Sequence, residues 1–332
     1  MSKKYRVGIV GCGDSGQTFH LPACTAMENA EVAAICDIRP DRLHAMAAKY
    51  GIKKLYLDMD EMLSHGGLDI VTIATPHDTH KPLAEKALKA GCHVLLEKPV
   101  VTALPDLDGL IALEKKQNCK VMVHQNYRWM KTGSAVKKAI EDGLIGEPYW
   151  MEFNFFSYGV WGPFYDGLER LIIMDMFPHP VDLTRYWFGA EIEEVYAHIP
   201  RLSYYPMKGE GFANLMLKAA GDRSANIVGS WASKSGPLEQ WIRGRIEGTG
   251  GCIKVRYDEE VEIYSLKLGA RVLPVVQEEN HLVEATKRMM THFIECIEAD
   301  RRPMSGLTEN RGTIKVILAA YESSAKGQPV RL

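Results

Sequence analysis

The chain has 332 residues, more than one ordinary domain needs, and its 46% hydrophobic and 25% charged residues describe a globular protein rather than a disordered or fibrous one. A formal net charge of −2 offers no basic field to a phosphate backbone and no polybasic segment to a membrane surface, so neither nucleic acid nor membrane is an expected partner.

The first apolar run, Tyr5–Val10, is too short for a secretory signal, and no run reaches the roughly 18 apolar residues of a membrane span. The seven cysteines (12, 24, 36, 92, 119, 252, 296) are odd in number and form no CxxC or Cys/His spacing. They read as reduced, mostly buried thiols, which predicts a cytoplasmic protein without structural zinc.

Up to residue 125, short apolar runs at 6–10, 32–36, 70–74, 94–96 and 121–124 alternate with helical segments, such as 83–90 stopping at Gly91. Strands apolar on both faces and separated by helices predict βαβ units and a doubly wound parallel sheet. A basic helix at 134–141 ends at Gly143, and alternating segments at 150–158, 194–203, 212–219, 224–233, 241–248 and 253–257 then predict an antiparallel sheet. Helices at 282–299 and 308–326 close the chain.

The first strand runs into Gly11-Cys12-Gly13-Asp14-Ser15-Gly16 and then a helix, the context in which GxGxxG binds a dinucleotide. Gly11 permits the tight turn, Gly13 lets backbone approach a pyrophosphate, and Gly16 allows helix to pack on strand; the helix start, with Ser15, faces the phosphates. Taken alone the motif also reads as a mere turn. Asp37, ending the second strand about 20 residues further on, supplies the carboxylate for the adenine ribose hydroxyls. Its charge repels a 2'-phosphate and favours NAD over NADP. Arg39 and Arg42 temper that preference; both also read as solvated residues of a helix start, and Arg42 is counted with the cofactor residues.

Further segments resemble the Gfo/Idh/MocA family, named for glucose-fructose oxidoreductase, inositol dehydrogenase and a rhizopine-catabolism protein. They are Ala74-Thr75-Pro76-His77-Asp78-Thr79-His80, Gly91 through Glu97-Lys98-Pro99, Gln125-Asn126-Tyr127-Arg128-Trp129, Gly143-Leu144-Ile145-Gly146, and Asp175 through His179 to Asp182. The resemblance covers nearly the whole chain. It implies an α/β protein: a Rossmann domain with a doubly wound parallel sheet (1–125), then an α+β domain (126–332) with a large open, mainly antiparallel sheet. That second domain binds substrate and in many members forms a homodimer or homotetramer interface.

By the same resemblance Lys98 points at the substrate beside the nicotinamide, where a cation holds the reacting oxygen and eases deprotonation of an alcohol. A cis peptide before Pro99 would aim it there. His179 is implied as the acid/base that takes the hydroxyl proton, and Asp175 as the group that bonds a substrate hydroxyl and positions the histidine. Asp182 is taken as structural. Residues 175, 179 and 182 would share one face of a helix; an i,i+4 pair and a metal site fit that spacing as well, but no third strong ligand is evident and no metal is expected. Thr75, Pro76, His80 and Glu97 are implied near the cofactor. Gln125 and Arg128 line the cleft, touching cofactor and substrate respectively, or pack between domains.

The chain departs from the family at Leu171-Ile172-Ile173-Met174 and Phe177-Pro178, where relatives carry small residues and glycine, so the substrate pocket is expected to differ in shape. Trp161, Phe164 and Tyr165 stand among glycines and proline, placed to cover a substrate and exclude water. A glycoside or anhydro-sugar, larger or more apolar than a free polyol, is the expectation. The implied reaction is hydride transfer between NAD and a secondary hydroxyl of a sugar, cyclitol or glycoside. Two other readings share these residues: a lyase or glycosidase-type enzyme that oxidises the sugar transiently and recycles NAD, and a non-catalytic NAD-binding regulator. The joint presence of Lys98, Asp175 and His179 speaks against the last.

Overall fold

The computed structural model describes residues 3–65, 67–160, 163–234, 242–257, 260–274 and 278–332. The chain forms two compact units, Met1–Trp129 with Glu278–Arg311, and Met130–Gln277 with Gly312–Leu332. This differs from the single cut expected at residue 125, because the helix His281–Glu298 returns to the first unit. It packs on the helix Leu21–Thr25, and its Arg288 Nε donates to the Trp129 carbonyl at 2.7 Å.

The first unit holds β1 (Tyr5–Val10), β2 (Ala30–Cys36), β3 (Leu55–Tyr56), β4 (Ile70–Ile73), β5 (His93–Leu96) and β6 (Val121–Val123). They form one sheet in the order β3-β2-β1-β4-β5-β6, every pair parallel. Val7, Ile9, Ile70, Val71, Val94, Leu95 and Val121 are all inaccessible, as runs of apolar residues covered on both faces require. The strand order reverses between β1 and β4. Such a reversal opens a crevice beyond the carboxyl ends of the strands, the usual ligand position in a doubly wound sheet.

The second unit holds β7 (Pro148–Phe156), β8 (Ile192–His198), β9 (Phe212–Ala219), β10 (Arg223–Ser230), β11 (Arg243–Gly248), β12 (Gly251–Arg256), β13 (Glu260–Ser265), β14 (Gly269–Pro274) and β15 (Val330–Arg331). They make a nine-stranded sheet, β14-β13-β12-β11-β7-β10-β9-β8-β15, antiparallel except where β7 pairs with β10. One face buries Met151, Phe153, Leu215, Leu217, Ile227, Ile246 and Ile253 beneath the helices Lys131–Glu141 and Pro178–Phe188. The other face leaves Tyr196, Met216 and Tyr264 exposed, the alternation of a sheet covered on one side.

The mixed, mainly antiparallel architecture matches expectation, but strand ends do not. The segments expected to run to 158, 203 and 233 stop at Phe156, His198 and Ser230, and the hairpin β13–β14 and the edge strand β15 were not expected at all. Among the described residues no helix is long and apolar enough to cross a membrane. All seven cysteines are free, six of them buried.

Candidate active site

The glycine loop begins where β1 ends. Gly11 has φ +98°, and a Cβ there would meet the Ala74 carbonyl oxygen at 2.4 Å; on Gly16 it would meet the Gly11 carbonyl oxygen at 2.1 Å. The protein itself therefore demands both glycines. Gly13 is different: within 4 Å its Cβ would meet only the Arg42 Nη1, at 3.4 Å, so nothing in the fold fills the space in front of that backbone. The Gln17 side chain closes the loop by donating to the Cys12 carbonyl at 2.7 Å. A helical run follows, π-helical over Gly16–His20 and α-helical over Leu21–Thr25, with Ser15 at its N-cap.

Asp37 lies at the end of β2 with 8% of its surface exposed. Its Oδ2 accepts the Cys12 N–H at 2.6 Å and its Oδ1 the Arg39 N–H at 2.8 Å, which ties the carboxylate to the glycine loop. The Arg39 guanidinium is turned onto Asp41 at 2.7 Å. Ile38, directly after Asp37 and not singled out in the sequence, is 86% exposed. An open glycine backbone, a fixed carboxylate and an exposed apolar side chain fit the pyrophosphate, ribose and adenine of a dinucleotide.

At the end of β4, Thr75 is half-buried and Pro76 exposed, with the Thr79 hydroxyl donating to the Pro76 carbonyl at 2.6 Å. His80, expected at the cofactor, is buried, and its ring nitrogens face the carbonyls of Pro99 and Thr75, each at 2.8 Å. Burial pushes its pKa down. The imidazole pins the loop after β4 to the segment after β5, and its polar atoms are used inside the protein. Lys98, half-buried after β5, precedes Pro99 through a cis peptide, as the resemblance implies.

Glu97 is also turned inward. Its Oε1 receives His20 Nε2 at 2.8 Å and His124 Nδ1 at 2.9 Å, and its Oε2 accepts the Lys98 N–H at 3.1 Å. Burial would raise this carboxyl, but His124 and His20 outweigh it and hold Glu97 well below the usual range. Gln125 is buried. Arg128, expected at the substrate, is buried too; it donates to the Met304 carbonyl at 3.1 Å and to Glu309 at 2.7 Å, because a guanidinium withdrawn from water requires such partners.

In the second unit Asp175 closes the short helix Ile172–Asp175, and His179 stands in the first turn of Pro178–Phe188, so the single helix face expected for 175, 179 and 182 is broken at Met176-Phe177. Asp175 is half-buried; His179 and Asp182 are buried. The bulky residues expected to reshape a pocket, Leu171, Ile172, Ile173, Met174 and Phe177, are instead core, Phe177 packing edge-on to Phe155 at 5.3 Å. Glu210, absent from the sequence reading, holds this segment. Its Oε1 accepts the N–H groups of Leu171 at 3.0 Å and Ile173 at 3.2 Å and the Tyr321 hydroxyl at 2.6 Å. Phe164 is 42% exposed and meets Tyr165 edge-to-face at 5.1 Å. Trp161 lies outside the described residues.

Residues 5–125 match the oxidoreductase family with NAD-binding Rossmann fold, and residues 134–254 match the Gfo/Idh/MocA C-terminal domain. The chain is similar to a D-apiose dehydrogenase of Paraburkholderia graminis, 29% identical over 99% of this chain and 90% of the relative. It is similar as well to a myo-inositol 2-dehydrogenase of Thermotoga maritima, 30% identical over 79% of this chain and 73% of that one. Among solved structures, an oxidoreductase from Agrobacterium radiobacter in complex with NAD+, L-tartaric acid and magnesium superposes with a TM-score of 0.92 at 27% identity, covering 99% of this chain and 98% of that one. The chain belongs to the Gfo/Idh/MocA family and is an NAD-dependent oxidoreductase.

Proposed function

We propose that this oxidoreductase is a dehydrogenase of a polyhydroxylated substrate, moving a hydride between NAD and a secondary hydroxyl of a sugar, cyclitol or glycoside. One observation carries the reading. Gly11 after β1, Asp37 after β2, Thr75 after β4 and the half-buried Lys98 after β5 all stand at the carboxyl ends of one parallel sheet, where such sheets bind ligands. The Gly11–Gly16 loop with Ser15 and Arg42 holds the pyrophosphate, Asp37 the adenosine ribose, and Ile38 the adenine face, while Thr75 and Pro76 border the nicotinamide. When bound, NAD supplies the hydride acceptor. Lys98 holds the substrate oxygen, His179 takes its proton, and Asp175 bonds a neighbouring hydroxyl.

Relatives named for apiose and myo-inositol support the substrate class. The exposed Phe164 supports a substrate with an apolar face, such as a glycoside or anhydro-sugar. A screen of sugars, cyclitols and glycosides for NADH absorbance tests the reading. Signal should vanish in Lys98→Met and His179→Ala variants that still bind NAD; full turnover in both would refute the assignment.

The first unit then serves the cofactor, while the second serves the substrate and joins copies of the chain into a homodimer or homotetramer through its open sheet face. Tyr196, Met216 and Tyr264 on that face support the assembly, and a monomer in light scattering would overturn it. Seven free thiols favour the cytoplasm.

A further inference from the structure

Three ionisable side chains meet in the interior of the first unit, linked to Lys98 through its backbone N–H. His20 comes from the π-helical turn, Glu97 from the end of β5 and His124 from the end of β6, and all three are buried. A proton count follows from their contacts. An ionised carboxylate only accepts, so the nitrogens that face Oε1, His20 Nε2 and His124 Nδ1, both donate. His124 Nε2 lies 3.1 Å from Oγ1 of Thr286, whose hydroxyl is also within 2.8 Å of the Leu282 carbonyl. The Nδ1 of His20, buried with no hydrogen-bond partner among the described residues, is the bare nitrogen of a neutral ring. The buried Glu97 carboxylate is thus hydrogen-bonded on both oxygens, which is what makes burying its charge tolerable.

Burial first, and then the adjacent His124, push His20 down toward the neutral form. Phe19 stacks on the His124 ring at 5.9 Å. The three residues also have the composition of a metal site. The two nitrogens lie at hydrogen-bond distance, 2.8 and 2.9 Å, from a single carboxylate oxygen, however, and a ring nitrogen that donates there offers no lone pair to a metal.

We propose that the His20–Glu97–His124 cluster is a positioning device for Lys98, in which two imidazoles immobilise one carboxylate oxygen so that the other can hold the Lys98 amide and direct the lysine side chain. The inference rests on Lys98 being the residue that touches substrate. It makes Glu97 a positioning residue rather than a cofactor contact, and it explains the sequence order: the carboxylate must immediately precede the lysine whose amide it grips.

The test uses the full chain and a substrate found in the NADH screen. Glu97→Gln keeps the shape and removes the charge; kcat should fall at least about tenfold, with substrate KM and the NAD dissociation constant within about threefold of wild type. Downfield imidazole N–H proton resonances, expected in the wild-type NMR spectrum, should disappear. If Glu97→Gln does not fold, His124→Gln serves, with the same split expected. Wild-type kcat in the folded variant while Lys98→Met is inactive would overturn the inference alone. Full turnover in Lys98→Met would overturn the functional reading beneath it. A loss confined to NAD affinity, or a stoichiometric divalent metal that disappears in His20→Gln, would also overturn the positioning role.

Discussion

Two glycines of one loop should respond in opposite ways to the same added methyl group. In Gly16→Ala the new Cβ would lie 2.1 Å from the Gly11 carbonyl oxygen, a backbone atom that cannot rotate away, so helix and loop must separate. Overpacking of that kind costs about 1–3 kcal/mol, and for a unit of this size each kcal/mol lowers the melting temperature by about 2–4 °C. In Gly13→Ala the only neighbour within 4 Å is the mobile end of Arg42, at 3.4 Å. The fold should tolerate it or gain about 0.4–1 kcal/mol through the stiffer unfolded chain. The same methyl projects where the backbone must approach a pyrophosphate, so NAD affinity should fall at least about tenfold, or 1.4 kcal/mol. Circular dichroism melting and calorimetric titration with NAD separate the two effects. Wild-type NAD affinity in Gly13→Ala would refute the placement of the phosphates on this loop, and wild-type melting of Gly16→Ala would refute the packing argument.

Asp37→Ala removes the ribose acceptor and the charge facing a 2'-phosphate, so the NAD-to-NADP affinity ratio should fall at least about tenfold; an unchanged ratio in calorimetry would count against the assignment. His20, His80, His93 and His292 all have pKa values depressed chiefly by burial. Below about 6.5 the unfolded chain binds protons that the folded chain refuses, so stability is complete above that pH and declines as pH falls through the window beneath it. The melting temperature should drop between pH 6.5 and 5, less steeply in His20→Gln, and a flat profile would contradict the burial argument. Glu97, whose carboxyl burial would raise but His124 and His20 hold well below the ordinary value, adds a second loss that sets in as pH falls through that ordinary value of about 4.5. Phe164→Ala should raise the substrate KM about fivefold at constant kcat, as the loss of about 1 kcal/mol of apolar contact implies; an unchanged KM for every active substrate would remove the apolar-face reading.

The Rossmann half was legible because its signals are local. Continuous apolar strands, the glycine turn after β1 and the acidic residue ending β2 can each be located within a few residues. The second sheet was legible only where alternation is strong. Glu260–Ser265 alternates acidic with apolar residues and pairs with Gly269–Pro274, yet so short a pattern next to a glycine turn also reads as loop. What the sequence could not show for His80 and Arg128 is where their hydrogen bonds end: a polar side chain near a site can also be held inside the protein, here on Pro99, Thr75, Met304 and Glu309. His20, His124 and Glu210 were invisible because their partners lie 77, 27 and 39 residues away in sequence, set by the β-sheet topology rather than by any spacing rule.

The departure at Leu171-Ile172-Ile173-Met174 acquires a different meaning once these side chains are known to be core. A helix as short as Ile172–Asp175 has almost no stability of its own, since nucleation costs more than one turn returns. Here buried apolar side chains anchor it from one side, and the Glu210 carboxylate collects the Leu171 and Ile173 amides from the other. The Ile172 N–H is taken by the Glu210 backbone carbonyl at 3.3 Å, so all three amides around the helix start end on a single residue. Tyr321, with Arg170 4.8 Å over its ring, supplies the third donor to the same carboxylate oxygen. Bulk at 171–174 thus serves to fix where Asp175 stands. Small residues and glycine at these positions, as the family resemblance implies for many relatives, would leave the corresponding aspartate to be held in another way, so that a difference in substrate could arise from the support beneath the polar groups as readily as from the walls of a pocket.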